Sequence, residues 1–379
     1  MRLIYVANVR FPTEKAHGLQ IMKMCEALAG NGLDVELIVP WRKNEIAGSP
    51  FSFWGIKNVF SIKKIGTFDF ASFGFLPAVA GFLLNSLYFS FNVFNYLRIN
   101  RNFQYIYIRD RELILPLVLL RRPFILEIHA LPKFIWLYRF LWNKAERIIV
   151  ITEHLKGSLI KIGISEKKIL VLPDAVDLGQ FDIVGSKDEF KKRLCPEYLK
   201  RKLIVYTGQL YPWKGVDTLV KAADYLDDSF KIIIVGGWDE GRISELKRLQ
   251  KKQGSVYFYG HAPYQEIPLW LKAADVLVLP NSGRYAISRY HTSPMKLFEY
   301  MASQVPIVSS DLPSIREILT EKEAEFFRSD DPESLAKAIK KVSADNKRSA
   351  DLSSAAYLKV QKYTWKNRAL QIENIFNTL

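Results

Sequence analysis

Cysteine is scarce. The 379 residues contain two, Cys25 and Cys195, far apart in the chain and in no metal-ligand spacing. A disulfide framework and a structural zinc site are therefore not expected, and both thiols read as small side chains of a reducing compartment. No export leader is visible: MRLIYVANVRFP returns to polar residues after a short apolar stretch, which suits a first β-strand. The expected location is the cytoplasm, with the inner face of the cell membrane as its refinement. Internal repeats and low-complexity tracts are lacking. So are helix-turn-helix, zinc-finger and RNA-binding aromatic signatures, so nucleic acid is not an expected partner. No Asp-x-Asp metal motif stands in a suitable place, and no metal is expected. Acidic residues are outnumbered, 39 to 54, for a formal charge of +15. The excess is uneven: residues 1–175 hold 23 Lys and Arg against 13 Asp and Glu, and the remainder 31 against 26. A basic first half points to an anionic partner, either phosphate groups or an anionic lipid surface.

What the chain does contain is apolar sequence, 49% of its residues, broken into short runs. Its length suits two domains better than one. Strands are predicted at 3–7, 35–39, 105–108, 124–128, 148–151 and 169–172, then at 203–206, 231–235, 256–259, 275–279 and 306–309. Several are near-continuous Ile, Val, Leu and Tyr, as in strands covered on both faces. Helical stripes lie between them, such as Ile21, Met24, Cys25 and Leu28, or Val216, Leu219, Val220, Ala223 and Leu226. Strand–helix alternation implies parallel sheets with right-handed crossovers. The expected architecture is α/β, with one domain over 1–178 plus a returning helix at about 363–379, and a second over 179–362. The segment 75–97 is long and apolar, but Pro77, Gly81, Asn85, Asn92 and Asn95 interrupt it. A core helix, a membrane-lying helix and a true span are all open there, the first two fitting better.

Four segments carry chemistry. In TGQLYPWKGVDTLVKAA a strand ends at Thr207–Gly208 and a loop presents Lys214 and Gly215 before a helix. A cation and free amides then sit where open α/β sheets bind anions, although a solvated loop lysine reads equally well. In KIIIVGG, Gly236–Gly237 allows a sharp turn and lets a flat ring approach the backbone, or is only a turn. In VYFYGHAPYQEIPLWLKAADVLVLPNS, backbone groups after Gly260 are placed to read a nucleobase edge. In HTSPMKLFEYMASQVPIVSSDLPSIREIL, Ser293 is the expected N-cap and Pro294 the first helical residue. The amides of that first turn make an electropositive spot. Lys296 lies in it, where a cation is unfavourable unless an anion is bound. Glu299 follows one turn on and can accept hydrogen bonds from vicinal hydroxyls, or is a surface glutamate.

The string SPMKLFEYMASQVPIVSSDLPSIREIL resembles the C-terminal signature of glycosyltransferase family 4, retaining enzymes of the GT-B fold. The segments around Lys214 and Gly260 are similar to the family in order and spacing. KGSLIKIGISEKKILVLPDAVDLGQF resembles its segment before the interdomain linker, and YTWKNRALQIENIF its last helix. The resemblance is specific over 203–320 and loose over 40–120. It implies two facing Rossmann-like domains with a UDP- or GDP-sugar donor in the cleft between them. Apart from the resemblance, the basic, aromatic-rich first half with its apolar segment 75–97 points to a glycan or lipid-linked acceptor hydroxyl, in envelope polysaccharide, lipopolysaccharide or glycolipid assembly, with peripheral contact between the N-terminal domain and an anionic membrane.

On the same resemblance His129, Lys214 and Glu299 are the candidate catalytic residues. Lys214 would pair with the diphosphate, Glu299 with the ribose, and His129, in FILEIHALP, with the donor sugar. The donor would also meet Gly208, Gln209, Gly236, Gly237, Gly260 and His261, the run His291, Thr292, Ser293, Pro294, Met295 and Lys296, and Lys15 and Ala16 from the first half. Three positions depart from the family pattern. Gln209 stands where an arginine is common, so Lys296, Arg284 or Arg289 would have to supply that charge. His291 replaces the first acid of a Glu-x7-Glu pair. Lys15–Ala16 replaces a Gly-Gly loop. A non-catalytic sugar-nucleotide sensor and a nucleotide-sugar epimerase or phosphorylase on the same plan are the alternatives.

Overall fold

The structure is a computed structural model describing residues 1–46, 48–67 and 78–377. It divides into two compact units, Met1–Pro173 with Trp365–Leu379, and Asp174–Thr364.

The first unit is built on a parallel sheet of seven strands: β1 (Arg2–Val6), β2 (Asp34–Trp41), β3 (Ser61–Gly66), β4 (Tyr105–Ile108), β5 (Ile125–Ile128), β6 (Arg147–Val150) and β7 (Ile169–Val171). They lie in the order β3-β2-β1-β4-β5-β6-β7. Successive strand side chains point to opposite faces. One face packs Ile4, Val6, Ile106, Ile108, Leu126 and Ile148 against the helices that follow β3, β4 and β5. On the helix Ala16–Gly30 the expected stripe Ile21, Met24, Cys25 and Leu28 is buried, and the last helix, Trp365–Asn377, packs against this helix. The Tyr105 hydroxyl donates to the Phe376 carbonyl at 2.9 Å and ties that helix to β4.

The second unit repeats the plan with β8 (Lys202–Thr207), β9 (Phe230–Val235), β10 (Val256–Gly260), β11 (Val276–Leu279), β12 (Ile307–Ser310) and β13 (Glu325–Phe327), ordered β10-β9-β8-β11-β12-β13 and all parallel. Leu203 and Val205 belong to one core, Ile204 and Tyr206 to the other, so both faces of the sheet are covered. In both sheets the strand order reverses beside the first strand, at β1/β4 and at β8/β11. Crevices at the C-terminal ends of strands form at such switch points.

The apolar segment at 75–97 is largely a helix, Ala78–Ile99, while residues 75–77, with Pro77, lie outside the described residues. No helix among the described residues is long and apolar enough to cross a membrane. The helix is half-buried: Phe89, Val93 and Leu97 are in the core, while Leu83, Leu87 and Phe91 face outward.

Candidate active site

In the second unit, strand register brings the expected residues to one edge. Thr207 pairs with Val235 and Val235 with Gly260, so β8, β9 and β10 end level. Gly208, Gly236 and Gly260 follow as neighbours: the Gly208 amide donates to Val235 at 2.9 Å and the Gly236 amide to Gly260 at 2.6 Å. Gly236 has φ 123°, and a Cβ there would stand 2.4 Å from the Gly208 carbonyl oxygen, so only glycine lets the two turns touch. Gly215, at φ 68°, is stricter: its Cβ would fall 1.9 Å from the Pro280 carbonyl oxygen. That close approach seats the Lys214 loop on the end of β11.

Lys214 ends a single 3-10 turn, its ammonium 3.9 Å from the Trp213 ring centroid. Lys296 enters from the helix Met295–Ala302, its ammonium donating to the Thr207 carbonyl at 2.9 Å and lying 3.6 Å from the Tyr206 ring centroid. Burial holds Lys296 well below the usual lysine range, Lys214 pushes it further down, and Glu299 opposes both. Burial brings Lys214 down to about 7, against the opposing pull of Asp174. Glu299, on the same helix as Lys296, is raised to about 7 by burial, while a hydrogen bond with Tyr264 and the charge of Lys296 work the other way. A buried ammonium on Lys296 beside a partly buried one on Lys214 costs folding energy unless an anion joins them. Such a site is prepared for a multiply charged ligand.

Of the three cations considered for the Gln209 departure, Lys296 is the one set against Lys214. Arg284 lies 3.9 Å from Asp330 and is largely exposed, and Arg289 stacks over Tyr290. The Gln209 carbonyl accepts from the Tyr206 hydroxyl at 2.7 Å. His291 closes the short helix Ala286–Tyr290, its amide donating to Ile287. Thr292, Ser293, Pro294 and Met295 are buried between these helices.

One local expectation is corrected. Ser293 does not cap the helix, and Pro294 is not its first residue. Pro294 is extended, with ψ 123°, so it occupies the cap position and the helix starts at Met295. The Ser293 hydroxyl instead accepts from the Asp174 amide at 3.0 Å, joining the start of the unit to the site. The helix amides are consequently left without a side-chain cap.

Sequence reasoning missed two residues here. Trp238 follows Gly236–Gly237 and packs against His261, with ring centroids 3.9 Å apart and planes inclined by 31°. The pair stands exposed at the ends of β9 and β10, a platform for a flat ring. Asn281, next to Pro280, is fully buried, and neither amide atom is hydrogen-bonded within the protein. Buried polar groups normally find a partner. The string LPNS held the signal, but a strand-end asparagine reads first as a turn.

In the first unit His129 follows β5. Its Nε2 hydrogen-bonds Glu127 Oε1, a carboxylate with 0% exposure. Glu127 also accepts from the Tyr107 hydroxyl, from Gln20 at 3.0 Å and from Arg368 at 2.8 Å. Burial alone would raise this carboxyl. Arg368, then His129 and Arg109, outweigh it and hold Glu127 well below the usual range. Lys15 is the cap residue, and Ala16 the first residue, of the helix Ala16–Gly30, and both are exposed. His17 follows them. Burial and the charges of Arg109, Lys15 and His129 lower His17 to about 3, so it is neutral at pH 7. Lys15, His17, Arg109 and His129 thus form one basic cluster at the ends of β1, β4 and β5. Arg109 and His17 were not singled out from sequence, because each lacks a spacing partner.

Comparison with known proteins identifies the fold and the family. The model described as "Glycosyltransferase Family 4" matches residues 18–180, and that described as "Glycosyl transferases group 1" matches residues 187–359. An uncharacterized glycosyltransferase of Methanocaldococcus jannaschii is 23% identical over 64% of this chain and 60% of its own length. The Escherichia coli UDP-Gal:alpha-D-GlcNAc-diphosphoundecaprenol alpha-1,3-galactosyltransferase is 29% identical over 47% of this chain and 46% of its own. Across the first of these curated relatives the chain spans 40 to 60% of their length. Among solved structures, Anabaena HepE in complex with UDP and glucose superposes with TM-score 0.79 over 100% of both chains, at 15% identity. The units are therefore the two Rossmann-like domains of a GT-B protein, and with both models matched in order the chain belongs to the group 1, family 4 glycosyltransferases.

Proposed function

We propose that this protein transfers a sugar from a nucleotide-diphosphate sugar to an acceptor hydroxyl, with retention of anomeric configuration and without a metal ion. The observation that carries this reading is the pair Lys214 and Lys296, both driven toward neutrality by burial, with a proton-hungry Glu299 on the same helix. A diphosphate relieves the lysines, and ribose hydroxyls donate to the Glu299 carboxylate. The exposed Trp238–His261 pair suits a uracil or guanine ring. His129 keeps the role the resemblance gives it, a hydrogen bond to the donor sugar.

As the sugar–phosphate bond breaks, charge grows on the departing oxygen, where Lys214 and the uncapped helix amides stabilise it. The acceptor oxygen attacks the same face of the sugar, and its proton passes to the departing phosphate oxygen. The lysines supply the charge that a metal ion would otherwise bring. HepE was solved with UDP and glucose, and the E. coli relative is named for a diphosphoundecaprenol acceptor. These support a UDP-sugar donor and a lipid-linked or surface-glycan acceptor in envelope assembly.

A panel of UDP-, GDP- and ADP-sugars tests the donor by thermal shift. The true class stabilises the chain by about 2.7 kcal/mol at a hundredfold excess over Kd. Turnover that stops with a chelator and returns with a divalent ion would refute the metal-free part. Donor binding with neither transfer nor hydrolysis would indicate a sensor instead.

Binding should also move protons. Lys214 sits near 7 in the ligand-free fold and near 10.5 when unfolded, so the unfolded chain binds more protons between those values. The Lys214 contribution to ligand-free stability therefore rises with pH from about 7 to about 10.5. A bound diphosphate restores the ammonium, so at pH 8 nucleotide binding takes up about one proton at Lys214, and recharging of Lys296 adds to that uptake. Calorimetry in buffers of different ionisation enthalpy measures it, and buffer-independent heats would refute the assignment.

A further inference from the structure

We propose that the face of the first unit formed by the helix Ala78–Ile99, the short helix Ile114–Leu119 and the turn Ile135–Trp142 docks into the surface of an anionic lipid bilayer.

The helix Ala78–Ile99 is turned against the usual rule over its central turns. Its small polar side chains point inward: Asn85, Ser86 and Ser90 are buried. Ser86 accepts from Asn8 at 2.9 Å, and Ser90 donates to the Glu112 carbonyl at 2.9 Å. Large apolar side chains between them point outward, Leu87 being 65% and Phe91 60% exposed, although Phe89 is turned into the core. A helix meant to face water places these groups the other way. The helix packs on Ile114–Leu119, which packs on Arg139–Trp142. Those neighbours add Leu119, Trp136 and Phe140, each about two-thirds exposed. One apolar face thus spans three adjacent segments, larger than scattered surface hydrophobes require.

The charge around this face selects its partner. Residues 98–147 hold ten Lys and Arg against four Asp and Glu. One of the four acids, Glu127, is sealed in the core against Arg368. Arg121, Lys133 and Lys144 are exposed beside the apolar tips, and the Lys144 ammonium lies 4.7 Å from the Phe140 ring centroid. Apolar side chains flanked by snorkelling cations match the boundary between acyl chains and anionic headgroups. A second copy of this chain would bring the same positive charge against itself. No described helix can span, so the face lies in the interface. The inference uses only this surface and stands independently of the transfer reading.

The test is flotation of the full chain with vesicles of phosphatidylcholine alone or with phosphatidylglycerol added. The expected result is co-flotation with the anionic vesicles, weakened by salt, and little with the neutral ones. Leu87→Gln with Phe91→Gln lowers the anionic partition about tenfold or more. Lys133→Glu and Lys144→Glu lower it about fivefold each. All these side chains are exposed, and an unchanged ligand-free thermal unfolding midpoint certifies folding, so the outcome does not depend on what the donor site binds. Equal partition onto both vesicles, none onto either, or full partition by the variants overturns the proposal. So does concentration-dependent dimerisation that Leu87→Gln with Phe91→Gln abolishes, which would assign the face to a second copy.

Discussion

Replacing Lys214 by alanine should lower kcat/KM for transfer by roughly 10²–10³-fold, about 3–4 kcal/mol of transition-state stabilisation. The loop is fixed by Gly215 against Pro280, so the ammonium is held in place and needs no reorganisation when charge develops on the leaving phosphate. The neighbouring Lys221→Ala, an exposed change on the helix Val216–Ala222, is the control and should leave the rate unchanged. The loss should fall on kcat more than on KM, since charge on the departing phosphate is largest in the transition state. Full turnover by the alanine variant would dismiss the proposed site.

Arg368→Met should destabilise the first unit by about 3–5 kcal/mol, because it strips the partner from a sealed carboxylate. Arg368 is 3% exposed and Glu127 0%, and the guanidinium also donates to the Pro173 carbonyl at 3.1 Å. Adding Glu127→Gln to Arg368→Met should recover part of the loss, since a neutral amide needs no counter-charge. Urea unfolding of the single and double variants measures this, and equal midpoints for wild type and Arg368→Met would refute it. Because Glu127 is depressed in the folded chain, its stabilising share is present above the unfolded carboxyl value near 4.5 and is lost as the pH falls below it. The same carboxylate fixes His129, so Glu127→Gln alone tests whether that imidazole needs its anchor for transfer.

The parallel sheets and the glycine turns that end β8, β9 and β10 were legible because they rest on strong local signals. Unbroken Ile, Val and Leu runs mark strands covered on both faces, and glycines mark the turns at their ends. β3 and β13 escaped for the opposite reason. Both are edge strands: SIKKIG is mostly exposed, with two lysines, and EFF is three residues long. Edge strands are kept short or charged to avoid pairing with other chains, which removes the hydrophobic pattern that would reveal them. Ser293 misled because a good capping residue had a tertiary partner, Asp174, 119 positions away. Glu127 was hidden inside an apolar strand, since nothing in FILEIHALP says that its counter-ion lies 241 residues later. Trp238, His17 and Arg109 belong to clusters assembled by strand order, which no local spacing encodes.

That separation in sequence shapes how the chain comes off the ribosome. The first 173 residues emerge long before Arg368, carrying a carboxylate that the finished unit keeps away from water. Until the last helix arrives, only His129 and Arg109, with hydrogen bonds from Gln20 and Tyr107, offset that buried charge. Completion of the first unit thus waits on synthesis of the whole second unit, which lies between its two pieces in the chain.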